Sequence, residues 1–144
     1  MRVYLANPLG FSSGMKSYLD EVVAKLEGLG HEVYEPFRAH DFGPAIEAAY
    51  ADGSNEAFAK LADTIAEANE AGIDSCDAVL GVLDGAQVDD GTAWELGYAV
   101  ASKKVVYGLR TDFRNVGDFP GVPVNLQVLR RMVKVFRSIS EINF

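Results

Sequence analysis

Apolar positions along the chain change their period several times, and each change marks an element. Arg2 to Ala6 is a short apolar run closed by Asn7-Pro8-Leu9-Gly10, so it reads as a strand ended by a turn. Met15, Leu19, Val22, Val23, Leu26 and Leu29 recur at three- and four-residue spacing. That spacing predicts a helix capped at Ser12 or Ser13 and ended by Gly28 and Gly30. His31 to Glu35 alternates and stops at Pro36, a second strand. From Phe37 to Gly53 the pattern weakens into a long loop holding a short helix over Pro44 to Ala51; loops of that length are often functional. Phe58, Leu61, Ile65 and Ala68 share one face of a helix predicted over Ser54 to about Ala71. Ala78 to Leu83 is continuously apolar, as in a parallel strand covered on both faces. A helix over Gly91–Ser102, a strand over Lys104–Leu109 and a Gly/Pro-broken loop over Thr111–Pro123 follow. A short helix from Val124, a last strand near Met132–Phe136 and a stub from Ser138 to Phe144 end the series.

This alternation predicts an α/β fold: a single-domain, doubly wound (Rossmann/flavodoxin-like), five-stranded parallel sheet with flanking helices, spanning residues 1–144. With 49% hydrophobic residues, 144 residues suffice for one sizeable core. No repeat, linker or low-complexity segment divides it.

Composition removes several function classes. The net charge of −8 argues against a nucleic-acid partner. Arg130, Arg131, Lys134 and Arg137 cluster, but no aromatic stacking platform interleaves them, so a solvated edge explains them better. No charged segment precedes an apolar one at the N-terminus, and no run reaches membrane-spanning length. A cytoplasmic protein without membrane contact is expected. The single cysteine, Cys76, cannot form an internal disulfide and reads as a small buried thiol. His31 and His40 lack a paired Cys or carboxylate at ligand spacing, so no metal is expected. A phosphate loop, a Gly-x-Gly-x-x-Gly turn and a Gly-x-Ser-x-Gly elbow are all missing from the sequence, and no cofactor is expected.

The candidate chemistry lies in Asp89-Asp90-Gly91-Thr92-Ala93-Trp94-Glu95-Leu96-Gly97-Tyr98-Ala99, directly after the predicted third strand. Ligands of open α/β sheets bind in the crevice outside the carboxyl ends of the strands. Asp89 and Glu95 there suit acid–base or nucleophilic work on a neutral small molecule. Gly91 lets the backbone approach a ligand closely. A glutamate in the first helical turn would be held ionised by the helix dipole. Thr92 and Glu95 also fit a capping box, N-cap hydroxyl and carboxylate three residues on. Capping and chemistry compete for the same oxygens, and the pattern leaves both open.

Four segments carry a resemblance: Tyr4-Leu5-Ala6 with Pro8, Cys76-Asp77-Ala78-Val79, Asp89-x-Gly91-Thr92-Ala93-x-Glu95-x-Gly97-x-Ala99, and Pro123-Val124-Asn125-Leu126. Over nearly its whole length the chain resembles the nucleoside 2-deoxyribosyltransferase family. The Asp-x-Gly-Thr-x-x-Glu-x-Gly segment is specific for the superfamily, and the late Asn-Leu narrows it further. The resemblance implies transfer of 2-deoxyribose between purine or pyrimidine bases through a covalent deoxyribosyl-enzyme. It implies Glu95 as the nucleophile, Tyr4 as the hydroxyl that holds and tunes it, and Asp89 beside the sugar 5′-hydroxyl. Asn125 would reach the sugar from a neighbouring subunit, implying a homodimer or higher assembly with shared active sites. Phe11 and Gly91 join these as expected substrate contacts, and 2′-deoxynucleosides and free nucleobases are the expected small-molecule partners. An oxocarbenium-like transition state flanked by a carboxylate agrees with the chemistry of retaining glycosidases.

One position departs from the family. Where well-known bacterial members carry an aspartate that helps hold or protonate the base, eight residues before Asp77, this chain has Asn69. An amide cannot act as a general acid but can hydrogen-bond a base edge; equally, Asn69 reads as a residue near the end of a helix. Two rival functions remain. One is hydrolysis of 2-deoxynucleoside 5′-monophosphates, whose enzymes carry serine at the Asp89 position and a Ser/Arg phosphate-binding stretch after strand one. Gly10-Phe11-Ser12-Ser13-Gly14-Met15-Lys16 would have to serve that purpose, against the charge of Asp89. The other is a non-catalytic nucleotide-sensing module, favoured if Glu95 only caps.

Overall fold

Five short strands align in parallel in the order β2-β1-β3-β4-β5. They are β1 (Arg2–Ala6), β2 (Glu32–Tyr34), β3 (Ala78–Val82), β4 (Val105–Leu109) and β5 (Lys134–Phe136) in a computed structural model describing residues 1–144. Six helices flank them: α1 (Lys16–Gly28), α2 (Pro36–Ala39), α3 (Gly43–Asp52), α4 (Asn55–Asp74), α5 (Asp90–Ala101) and α6 (Leu126–Leu129). The doubly wound sheet expected from the sequence is therefore present, with strand order reversing between β1 and β3.

Alternation along the strands builds two cores. Val3 and Leu5 of β1 join Leu80 and Val82 of β3 against Leu19, Val22, Val23 and Leu26 of α1. Tyr4 and Ala6 face the other way, with Val79, Ile73 of α4 and Leu96 and Ala99 of α5. The period of two thus sends Tyr4 to the α4–α5 face. β3 is buried at every position, matching its unbroken apolar run.

Several boundaries differ from the sequence reading. The first helix begins at Lys16 rather than at a serine cap; two 3-10 turns, Leu9–Phe11 and Ser13–Met15, lead into it, and neither Ser12 nor Ser13 caps by side chain. The segment Phe37–Gly53 is not mainly loop. It holds α2, started by Pro36 and capped by the Glu35 carboxylate, and α3, ended by Gly53 at φ 71°. Helix α4 runs on to Asp74, capped at its start by Ser54, whose hydroxyl accepts the Ala57 amide at 3.1 Å. Only its last turns pack on the sheet, with Gly72 and Ile73 buried. Its earlier apolar face meets α3 instead, where Tyr50 and Phe58 stack edge to face at 5.3 Å. Helices α3 and α4 form a hairpin standing beside the carboxyl edge of the sheet.

The connection from β3 to α5 is clamped from below. Arg110, fully buried just after β4, donates to the carbonyls of Leu83, Gly85 and Arg114. Burying a guanidinium is costly without such partners, so these carbonyls fix both the cation and the loop that delivers Asp89. Cys76 is buried and unpaired, as expected, and burial raises its thiol pKa. No helix is long and apolar enough to cross a membrane.

Candidate active site

Where the strand order reverses, the segments leaving β1 and β3 diverge and open a cavity of about 410 Å³. Its floor is Asn7 after β1 together with Asp89, Gly91, Thr92 and Glu95 at the start of α5. Ile65 and Asn69 of α4 form one wall. Phe11, Pro36, Phe37, His40, Asp41, Phe42, Gly43 and Ile46 form the rest, so the α2–α3 segment roofs the site. Phe11 and Phe37 meet edge to face at 4.8 Å. A Cβ on Gly10 would overlap the Phe37 ring, so glycine there lets the roof close.

The start of α5 corrects the capping-box reading. Asp89, not Thr92, is the N-cap; its Oδ2 accepts the Thr92 amide at 2.9 Å. Asp90, Gly91 and Thr92 fill the first helical positions, which puts Glu95 in the second turn. Glu95 caps nothing. Its Oε1 instead accepts a 2.6 Å hydrogen bond from the Tyr4 hydroxyl. Thr92 is buried, with a hydroxyl that has no partner within the protein.

The position also corrects the expected ionisation. Glu95 is 8% exposed, and burial pushes its pKa up to about 7. The Tyr4 hydrogen bond pulls it down, while the carboxylates of Asp89 and Glu35 push it up. Desolvation, not a first-turn helix dipole, sets the outcome. Burial and the neighbouring Glu95 charge drive the Tyr4 phenol well above the usual tyrosine range, so it remains a proton donor. The Tyr4 ring is held by a stack on Tyr34 at 5.4 Å. Tyr34 in turn packs against Gly72, where a Cβ would lie 2.6 Å from its ring.

A second carboxylate lies behind the wall. Glu35 is 3% exposed and accepts from Asn7 Nδ2 at 2.9 Å. Asn7 Nδ2 also donates to the Leu5 carbonyl, and its Oδ1 accepts the Leu9 amide, so its orientation is fixed by three partners.

The chain thus brings together Tyr4, Glu95, Asp89, Gly91, Asn69 and Phe11, the last 80% exposed at the rim. It does not bring Asn125 to them. Asn125 is exposed, caps α6 by accepting the Gln127 amide at 2.9 Å, and donates to Asp118 Oδ1 at 3.3 Å. It borders a separate depression with Gln87, Asp90 and Ala93. Of Gly10–Lys16, only Phe11 reaches the cavity; Ser12, Ser13 and Lys16 do not line it. Sequence reasoning missed Asn7, Phe37, His40, Asp41 and Phe42. Asn7 was findable, since it directly follows the first strand at the switch point; the others depended on a segment read as loop.

The model of the family described as nucleoside 2-deoxyribosyltransferase matches residues 3–127. The chain belongs to the nucleoside 2-deoxyribosyltransferase family. By sequence, no curated protein matches it. Among solved structures, this nucleoside 2-deoxyribosyltransferase family member is similar to a 2-deoxyribosyltransferase from Leishmania mexicana. The TM-score is 0.70 at 26% identity, over 96% of this chain and 91% of that one. It is also similar to the 2-deoxyribosyltransferase of Bacillus psychrosaccharolyticus, with TM-score 0.68 and 23% identity over 100% and 93% of the two chains. A CMP N-glycosidase of Clostridium botulinum shares the fold more distantly, with TM-score 0.55 and 18% identity over 98% and 94%. Family and fold together support activity of the deoxyribosyltransferase type.

Proposed function

We propose that this protein moves 2-deoxyribose between nucleobases in nucleoside salvage, the whole chain 1–144 acting as one domain. Glu95 is the nucleophile. Its carboxylate attacks C1′ of a bound 2′-deoxynucleoside, the C1′–N bond breaks, and a deoxyribosyl ester forms on Glu95 while the base departs. A second base then attacks C1′ and releases the carboxylate. Tyr4 aims and tunes Glu95, Asp89 meets the sugar 5′-hydroxyl, and Asn69, Gly91 and Phe11 contact the nucleoside. The observation that carries this reading is the 2.6 Å Tyr4–Glu95 hydrogen bond, buried beside a cavity of nucleoside size.

The hydrolase reading gains no support from the wall of the cavity. The Asp89 carboxylate lines the cavity, and no basic side chain except His40 lines it, so a 5′-phosphate would meet charge of its own sign. The sensing-module reading would be favoured if Glu95 only capped the helix, a task that falls to Asp89.

We further read the site as completed between subunits of a homodimer or larger assembly. Phe113 is 88% and Phe119 62% exposed on the loop before Asn125, an apolar surface suited to burial against another copy. Seating that loop on a neighbour would carry the Asn125 amide into the neighbour's cavity.

Mass spectrometry of the protein mixed with 2′-deoxyinosine tests the central claim: a deoxyribosyl adduct on the Glu95 peptide is expected. Initial rates with donor nucleoside and acceptor base varied together should give parallel double-reciprocal lines. Free base and free sugar appearing with no adduct and no exchange would overturn the transfer reading.

A further inference from the structure

If Glu95 takes the sugar, something must supply a proton to the base. As the C1′–N bond breaks, its electron pair passes to a ring nitrogen, and a purine anion leaves poorly without protonation. The cavity wall offers few donors. Asn69 is an amide. Asp89 and Asp41 are engaged as acceptors, from the Thr92 amide at 2.9 Å and the Gly43 amide at 3.0 Å. His40 remains, and histidine is the side chain that exchanges protons near neutral pH.

Its placement fits the task. His40 ends α2 in the roof, exposed to the cavity. Nε2 lies 2.6 Å from the Tyr34 hydroxyl, and the ring stacks on Phe42 at 5.3 Å. One nitrogen is therefore anchored, while Nδ1 has no partner within the protein. Tyr34 is the same ring that stacks on Tyr4, so His40 and the tyrosine that holds Glu95 share one aromatic support. Facing His40 are Tyr34 from β2, Asp41 beside it, and Asp89 and Glu95 across the cavity at the start of α5.

We propose that His40 is the acid and base for the nucleobase, a catalytic role that rests on the transfer reading above. In the first half-reaction the imidazolium gives its proton to the base nitrogen that receives the C1′–N electron pair, leaving neutral imidazole and the Glu95 ester. In the second, that imidazole takes the proton of the incoming base as its nitrogen attacks C1′ and the Glu95 carboxylate leaves. Protons and charge balance over the cycle with no further reactant.

The test compares two donors in His40→Gln. Glutamine keeps a hydrogen-bonding partner for Tyr34 but holds no acid proton. With 2′-deoxyinosine, kcat/KM should fall by about 10²–10⁴-fold. 7-Methyl-2′-deoxyguanosine already carries the positive charge on its base and leaves neutral, so its kcat/KM should change only a few-fold. Equal losses on both donors, or no loss on either, would overturn the proposal while the wild-type adduct still stood. If the wild-type protein forms no adduct with either donor, the transfer reading itself fails.

Discussion

Asp89 and Glu95 stand at the start of the same helix, yet only Asp89 caps it. Asp89 Oδ2 accepts the Thr92 amide, which leaves Glu95 free to turn toward Tyr4 on the central sheet. A carboxylate that capped the helix would be spent on a backbone amide. Here one acid does the structural work, and a second, six residues further on, is desolvated beside the cavity.

That division makes the Glu95→Gln variant informative. It should lose adduct formation and base exchange while keeping the fold, because the cap lies elsewhere. Its stability should also respond to pH in a defined direction. The Glu95 pKa of about 7 in the folded protein lies above the ordinary glutamate value, so the folded state binds the extra proton. Stability contributed by that proton is present at acid pH and is lost as pH rises through about 7. The Glu95→Gln protein escapes this loss. It should match wild type near pH 4 and exceed it at pH 8 by on the order of 1–3 kcal/mol in denaturant titrations. A variant less stable than wild type at pH 8 would contradict the buried, costly carboxylate.

Tyr4→Phe removes the one hydrogen bond that holds the Glu95 pKa down. Burial and the Asp89 and Glu35 charges then act unopposed, so the acid limb of the kcat/KM profile should move to higher pH. A hydrogen bond to a charged group contributes about 1.5–3 kcal/mol, so activity should drop roughly 10- to 150-fold at neutral pH. An unmoved limb would mean that the phenol only packs.

The layered sheet was legible in the sequence because strands covered on both faces leave unbroken apolar runs, as Ala78 to Val82 does. Tyr4 and Glu95 were legible through the family's motifs; their contact required β1 and α5 to meet across 91 residues of chain. The cap was misassigned because Thr92 and Glu95 fit one box while Asp89 fits the same amide just as well. Nothing local separates the two. The roof was only half legible: the short helix expected over Pro44 to Ala51 is α3, whereas α2, a single turn with no buried residue, was read as loop. The apolar side chains of this segment face a cavity rather than a core, so no strong periodic stripe marks it. Asn69 and His40 therefore became neighbours of one space only in three dimensions.

Asp89 carries both a cap and a charge, and two substitutions separate them. Asp89→Ser can still accept the Thr92 amide, so its melting temperature should stay near that of wild type. Asp89→Ala should lose about 0.5–2 kcal/mol. Both remove the negative charge from the cavity, so both should weaken use of deoxynucleosides and improve tolerance of deoxynucleoside 5′-monophosphates. Wild-type preference for deoxyguanosine monophosphate over deoxyguanosine would show that Asp89 does not guard against phosphate.

Asn125 supplies the sharpest test of assembly, because in its own chain it lies away from Glu95 beside a different depression. If it serves a neighbour, Asn125→Ala and Glu95→Gln proteins should each be weak or inactive alone. In a heterodimer, the subunit with intact Glu95 receives an intact Asn125 from its partner, and the other site carries both lesions. One site of each heterodimer is then whole, following the symmetry of an isologous pair. An equal mixture after free subunit exchange should recover about a quarter of wild-type activity per site, since about half of its dimers are mixed. Exposed Phe113 and Phe119 give a second handle: charged substitutions there should push the protein toward monomer and lower activity together. A fully active monomer in sedimentation, or no recovery despite proven exchange, would place Asn125 outside the site.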